Sequence, residues 1–405
     1  MHNRRIISTF IPDNQLFASL FKRYLGMNNL LSVISLIPEF RKGNHLVYPI
    51  DYLLLVAFCT MMCNQTSWHA MEDYAEIHQK DLRKLYFKIS GKVLRRYTPS
   101  HDVFCAVFQT LSPVTFHNAF KSWLLEVYSS VGEHICIDGK TMRGVKKMEP
   151  DADCHTVTAY LSRIHASLDQ VFISKKSNEV NAIKELLTLI DIEGATVTID
   201  AMGTQRKIAE QIVSQGGDYI LCVKDNQKGT KIELEGFFEG KYYNSEIITT
   251  GGDPELGHGR IETRKLRSIV DPMRLDDTAV TISLKEWPGL RSVHQLRRGR
   301  IDKKQDEGSD VLSYYISSLS DPGKVFDLIR AHWSIENHLH HTLDVVMLED
   351  QQLKRTKNEA KNFNIMSKIA LFFVDKMKEK SGKRLITQFR TNATLKPSEL
   401  LSIKL

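Results

Sequence analysis

Three carboxylates stand out in this 405-residue chain because of what surrounds each of them. Asp138 closes the apolar run Ile135-Cys136-Ile137, Asp200 closes Val197-Thr198-Ile199, and Glu336 lies within the helical segment Ala331 to Asn337. Two aspartates at strand ends and one glutamate on a helix can bring anionic oxygens to a single point. Hard divalent cations such as Mg2+ and Mn2+ take oxygen ligands. A pair of such ions promotes in-line phosphoryl transfer on nucleic acid. On an ideal helix each residue turns by about 100°, which puts His332 about 40° to one side of Glu336 and His340 and Asp344 about 40° and 80° to the other. Histidines around a glutamate could instead hold zinc. These two are eight residues apart rather than four, so both reach one ion poorly. A purely structural helix, with Glu336 salt-bridged and the histidines stacked, is the plain alternative. It loses ground because the aspartates end matching strands.

Such acids need elements to hold them, and the pattern from about Glu133 supplies candidates. Short β-type runs cover Ile135 to Asp138, Thr156 to Leu161 and Gln170 to Ser174. A helix follows from Glu179 to Ile190, with Ile183, Leu186, Leu187 and Ile190 on one face. The strand ending at Asp200, a helix from about Thr204 to Ser214 and a strand from Tyr219 to Val223 complete the series. Three strands, helix, strand, helix, strand is the order of a ribonuclease-H-like α/β core with a mixed sheet. In it the first and fourth strands are neighbours, so Asp138 and Asp200 meet although they are 62 residues apart. Carboxylates packed together cannot both stay ionised without a counter-charge. Residues 228–320 are β-rich and irregular, with turns at Gly251-Gly252-Asp253-Pro254 and Trp287-Pro288-Gly289. They read as an insertion, after which the fold resumes at Val325 with the helix that carries Glu336. Before about Tyr128 the chain reads as helical, with Leu53, Val56, Ala57 and Met61 at helical spacing and Ser100 as the expected N-cap of a helix. The expected domains are a helical one at 1–128, the catalytic one at 129–352, and a basic helical segment at 353–405.

Composition fits a soluble globular protein: 25% charged and 42% apolar residues. The longest clean apolar run, Leu53 to Cys63, is too short to span a bilayer, and the first residues lack a secretory h-region. Cytoplasmic localisation is expected, and six scattered cysteines read as buried thiols rather than disulfides. The net charge is +7, and its location is the useful part. Residues 353–405 hold 13 Lys/Arg against 4 Asp/Glu, and the rest of the chain is close to neutral. A concentrated basic segment suits phosphate neutralisation, although the charge alone is explained better by a solvated helix face. Arg297-Arg298-Gly299-Arg300 is a further local cluster.

At these residues the sequence resembles the H-repeat-associated transposases of bacterial insertion sequences, which are DDE enzymes with a ribonuclease-H-like catalytic domain. The resemblance rests on Ile137-Asp138-Gly139-Lys140 with Arg143-Gly144, Thr198-Ile199-Asp200-Ala201, Lys224-Asp225-Asn226-Gln227, Gly257-His258-Gly259-Arg260-Ile261-Glu262-Thr263-Arg264, and His332 to Asn337 through Asp344. These follow in family order along nearly the whole chain. The resemblance implies that Asp138, Asp200 and Glu336 are the DDE triad and bind two Mg2+ or Mn2+ ions. It also implies DNA partners, the terminal inverted repeats and the target, and a homodimer in a synaptic complex. Lys140, Arg143, Lys224, Asn226, Arg260, Arg264, His332 and His340 are the expected DNA contacts. Related cut-and-paste enzymes carry a tyrosine and an arginine before the glutamate and a lysine after it; here those places hold Ile329, His332 and Leu343. Two other readings are a ribonuclease-H-like nuclease without strand transfer and a catalytically silent, transposase-derived DNA-binding protein.

Overall fold

The computed structural model describes residues 30–43, 46–128, 132–149, 153–173, 177–240, 246–257, 260–275, 282–302, 308–382 and 385–395. His258 and Gly259 of the expected motif, and residues 396–405 of the basic segment, lie outside these; so does the side chain of Arg260. The chain divides into two compact units, Met1–Cys105 with Phe373–Leu405, and Ala106–Phe372.

In the first unit the helix Ile50–Met62 is buried on almost every side. A helix apolar all round belongs inside a bundle rather than on its surface. Tyr52 meets Tyr86 and Tyr97 edge to face, at 5.2 and 5.7 Å between ring centroids. Arg390 is buried and donates to the carbonyl of Met61 at 2.7 Å. The helix His101–Thr110 starts one residue after Ser100, as expected, and the carboxylate of Glu72 accepts from the His101 backbone N–H at its start.

The second unit is built on a sheet. Among the described residues it has ten strands: β1 His134–Thr141, β2 His155–Leu161, β3 Ala166–Ile173, β4 Thr196–Ile199, β5 Asp218–Val223, β6 Ile248–Gly251, β7 Glu255–Gly257, β8 Arg260–Val270, β9 Ser292–Asp302 and β10 Gly308–Ser317. The order across the sheet is β3-β2-β1-β4-β5-β10-β9-β8-β6, with β7 on β8. β1, β4 and β5 run parallel, and the pairs on either side are antiparallel. The β3-β2-β1-β4-β5 half is the ribonuclease-H-like order, with the helices Glu179–Leu189 and Arg206–Ser214 as its crossovers. This is the mixed α/β architecture expected, with helices before the sheet.

One expectation changes. β1 does not end at Asp138, because Gly139, Lys140 and Thr141 go on pairing with Val157, Thr156 and His155 of β2. It is β4 that ends, and the last parallel pair is Ile137 with Ile199. The expected β-rich insertion continues the sheet. β10 pairs with β5, so β6 to β10 extend the catalytic sheet itself. The helix Pro322–Ser334 docks on the combined surface through Val325, Phe326 and Ile329, which pack with Ile220, Cys222, Leu266, Leu296 and Tyr315. Strands from both halves therefore set where Glu336 can go.

Candidate active site

One register step beyond the last β1–β4 pair lie Asp138 and Asp200. Side chains alternate along a strand, so His134, Cys136, Asp138 and Lys140 share one face of β1. That face meets the segment 331–344 in steps. His134 Nε2 bonds Thr198 Oγ1 at 2.9 Å, which in turn bonds His332 Nδ1 at 2.8 Å. Cys136 approaches the Ala331 carbonyl. His340 Nδ1 lies 3.4 Å from Asp138 Oδ2 and 3.7 Å from Glu336 Oε2. Lys140 Nζ lies 2.5 Å from Asp344 Oδ1. Two strand residues advance about 6.7 Å and four helical residues about 6 Å, so strand and helix can stay in step over this distance.

The helix is not ideal where it matters. Ile335–His340 forms a π turn between the α-helices Pro322–Ser334 and His341–Val345. Such turns are rare and concentrate at functional sites. Its wider winding breaks the 100° rule, so Asp344 leaves the Glu336 face and turns to Lys140 instead. Gly139 lets two side chains close in beside Asp138: a Cβ there would sit 2.8 Å from His155 Nε2 and 3.0 Å from the Glu179 carboxylate, which would have to shift. Gly144 is required outright, since its Cβ would meet the Asp350 backbone carbonyl oxygen at 2.5 Å.

Asp138, Asp200 and Glu336 line one cavity of about 130 Å³, together with Thr198, Lys224, Arg298, His332 and Trp333. Burial pushes the Asp138 carboxyl up, against the opposing pull of His340. The hydrogen bond from His340 holds Glu336 down at about 2. Burial alone would lower His340, but the two carboxylates outweigh it and raise its imidazole above the ordinary range. His332 is pushed down to about 4 and His134 to about 3, both by burial, so the Thr198 bridge joins two neutral rings.

The donors suit a divalent cation. Asp138, Glu336 and His340 offer ligand atoms within 4.8 Å of one another, and His340 Nε2 is buried with no hydrogen-bond partner among the described residues. Two carboxylates sharing one imidazole lack positive charge, which a metal ion supplies. Asp200 stands across the same cavity, half exposed, with Lys224 Nζ 3.3 Å away.

Comparison with known proteins identifies the family. Residues 31–124 match the family described as DDE_Tnp_1-associated, and residues 129–373 match the Transposase DDE domain. YhhI of Escherichia coli K12, an H repeat-associated protein with a transposase name, is 34% identical over 86% of this chain and 90% of its own. The chain belongs to the H-repeat-associated DDE transposase family. YbfL of the same strain is 34% identical over the same shares, and YbfD, also H repeat-associated, is 34% identical over 59% of this chain and 93% of its own. A piggyBac transposase in a synaptic complex with hairpin DNA is a remoter likeness, 11% identical with a TM-score of 0.40 over 96% of this chain and 80% of that one.

Seen as a transposase, the chain sorts its expected DNA contacts into different roles. Lys140 departs from that expectation: it is 8% exposed and held by Asp344 and Glu349, so it faces the interior. Burial would lower its ammonium, but those acids raise it. His332 and His340 are likewise committed, to Thr198 and to the two acids. Asn226 donates to the Ala201 carbonyl at 2.7 Å and Gln227 to that of Thr204 at 2.9 Å, so this motif pins the turn that follows Asp200. Arg264 is paired with Glu255 and Glu262. Arg143 is exposed, and Lys224 is exposed at the cavity beside Asp200. Ile329 and Leu343, at the places of the related enzymes' tyrosine and lysine, are core residues. Thr198 and Arg298 also line the cavity and are not among the residues expected there from the sequence. Thr198 sits within a quoted motif, and Arg298 within a noted basic cluster, but nothing local to either points at the cavity.

Among the described residues no helix is long and apolar enough to cross a membrane. All six cysteines are free thiols, and five are buried.

Proposed function

We propose that this transposase cuts DNA at the ends of a bacterial insertion sequence and joins the freed 3′ ends to target DNA, with Asp138, Asp200 and Glu336 as its metal-binding triad. The observation that carries the reading is that two neighbouring strands and a π turn bring these acids to one cavity, where Asp138 and Glu336 share the single imidazole of His340. Mg2+ or Mn2+ held by Asp138, Asp200 and Glu336 would supply Lewis acidity for phosphoryl transfer. The chain's own groups prepare the place. His340 Nδ1 sits between Asp138 and Glu336, 3.4 and 3.7 Å from their oxygens, and holds the two acids in place. The Thr198 bridge fixes the His332 ring against the cavity wall. Lys224 and Arg143 offer exposed charge to flanking phosphates. Residues 353–405, with their basic excess, and the N-terminal helical region are the proposed readers of the terminal repeats. Strand transfer requires two ends at once, so the working form on DNA is a homodimer.

The test supplies a duplex of the element's terminal repeat with a pre-cut 3′-hydroxyl, a target plasmid and Mg2+. Joined products are expected with the native chain and not with Asp200→Asn. Cleavage without joining would favour a nuclease, and DNA binding without either would favour a silent DNA-binding protein.

A further inference from the structure

The cavity that holds the three acids also receives a cation with no part in the scheme above. Arg298 lies on β9, in the basic cluster 297–300, and reaches the cavity from the β-rich extension of the sheet. Its guanidinium carbon sits 5.0 Å from the centroid of the Trp333 ring, which also lines the cavity and is 43% exposed. Its Nε is buried without a hydrogen-bond partner among the described residues. Arg297, on the opposite face of the strand, is paired with Asp310. Cys222 and Tyr315, at the cavity wall, feel Arg298 and Asp200 with opposite sign, so both charges act on the same small volume.

An aromatic face holds a guanidinium in place without neutralising it, whereas a carboxylate partner would cancel its charge. A buried N–H left unbonded is costly, and the cost is relieved when an acceptor arrives. The guanidinium fork matches two oxygens of one phosphate. The helical places from which related enzymes present a tyrosine, an arginine and a lysine hold Ile329, a committed His332 and Leu343. We infer that Arg298 is the phosphate-binding residue of this active site, gripping the non-bridging oxygens of a DNA phosphate next to the scissile bond, and that Trp333 is the positioning residue that sets the plane of its guanidinium. The inference rests on the transposase reading above and adds a clamp delivered by the sheet extension rather than by the glutamate helix.

The test uses the full chain and terminal-repeat duplexes in which each phosphate near the cut is replaced in turn by a neutral methylphosphonate. Cleavage is followed in Mg2+ and affinity in Ca2+. Arg298→Ala is expected to slow cleavage about 100-fold, comparable to loss of one preorganised anion donor. One methylphosphonate position should harm the native chain and cause little additional loss in Arg298→Ala. Arg298→Lys, which keeps the charge without the fork, should fall between the two, and Arg297→Ala should cleave normally. Trp333→Ala should lose about five-fold, with Trp333→Phe restoring most of it. The inference is overturned if Arg298→Ala cleaves at the native rate, or if every methylphosphonate penalises it as much as the native chain. Should the native chain give no Mg2+-dependent product, the transposition reading itself fails. The position-specific affinity loss in Ca2+ then still decides for or against Arg298 as a phosphate grip.

Discussion

Two charged regions of the catalytic unit use the same two elements and reach opposite electrostatic outcomes. Asp138 and Lys140 are neighbours on one face of β1, and Glu336 and Asp344 lie on one continuous helical segment. At the second pair the fold supplies its own partners. Lys140 takes Asp344 and Glu349, Glu349 takes the amide of Asn364 at 2.5 Å, and buried Lys368 donates to Thr158 and Gln170. At the first pair, two carboxylates share the single imidazole of His340. One region is closed by lysine and serves as foundation. The other is left short of positive charge and open to a cavity. An acid completed from within is structural; an acid that must be completed from outside can bind a metal.

The largest effect that would sharpen this contrast is catalytic. Asp138→Asn and Glu336→Gln should each reduce Mg2+-dependent cleavage on the order of a thousand-fold, which is several kcal/mol of transition-state stabilisation. Asp138→Asn should not lower the thermal midpoint, since burial already disfavours its charge; Glu336→Gln should lower it only modestly, since it removes a partly exposed carboxylate that His340 stabilises. A large loss of stability in either variant would place these acids with the structural group.

The foundation should respond the other way. Glu349→Ala strips a carboxylate from Lys140 and leaves buried Lys368 without its nearby counter-charge, and should cost about 3–5 kcal/mol in denaturant unfolding. Asp344→Asn should cost less, because the half-exposed Asp344 is only one of two acids on Lys140. Its cleavage rate should stay within a few-fold of native. Loss of metal-dependent chemistry in Asp344→Asn with stability intact would erase the distinction.

A smaller effect follows from Lys368, whose ammonium burial holds down at about 7 against an ordinary 10.5. Between those values the unfolded chain keeps a proton that the folded chain has released, so stability contributed at this site rises with pH from 7 towards 10.5. Below 7 the full penalty of a buried cation is present. The difference in thermal midpoint between the native chain and Lys368→Met should therefore move in favour of the native chain as pH climbs through that window. A flat difference would mean that Lys368 is charged in both states.

Much of this could be read before any coordinates. Short apolar runs punctuated by turn residues mark β1 to β5, and their order alone makes Asp138 and Asp200 neighbours. Glu336 was legible as an acid on the helix that resumes the fold. What was hidden depends on partners distant in the chain. β1 continues past Asp138 only because β2 is there to pair with Lys140. β10 joins β5 through contacts nearly a hundred residues apart, which no local pattern encodes. The π turn defeated a wheel drawn at a fixed angle, and with it the placing of Asp344 beside Glu336. Lys140 looked like a surface cation because its acids, Asp344 and Glu349, lie more than two hundred positions later.

The central claim concerns an incomplete pair of acids, so a cation titration tests it most directly. Mn2+ added to the native chain in a calorimeter should bind at the cavity and raise the thermal midpoint. At a hundred times the dissociation constant, that amounts to about 2.7 kcal/mol. Binding should vanish in Asp138→Asn and in Glu336→Gln and persist in Asp344→Asn. Undiminished Mn2+ binding by Asp138→Asn and Glu336→Gln would contradict the account.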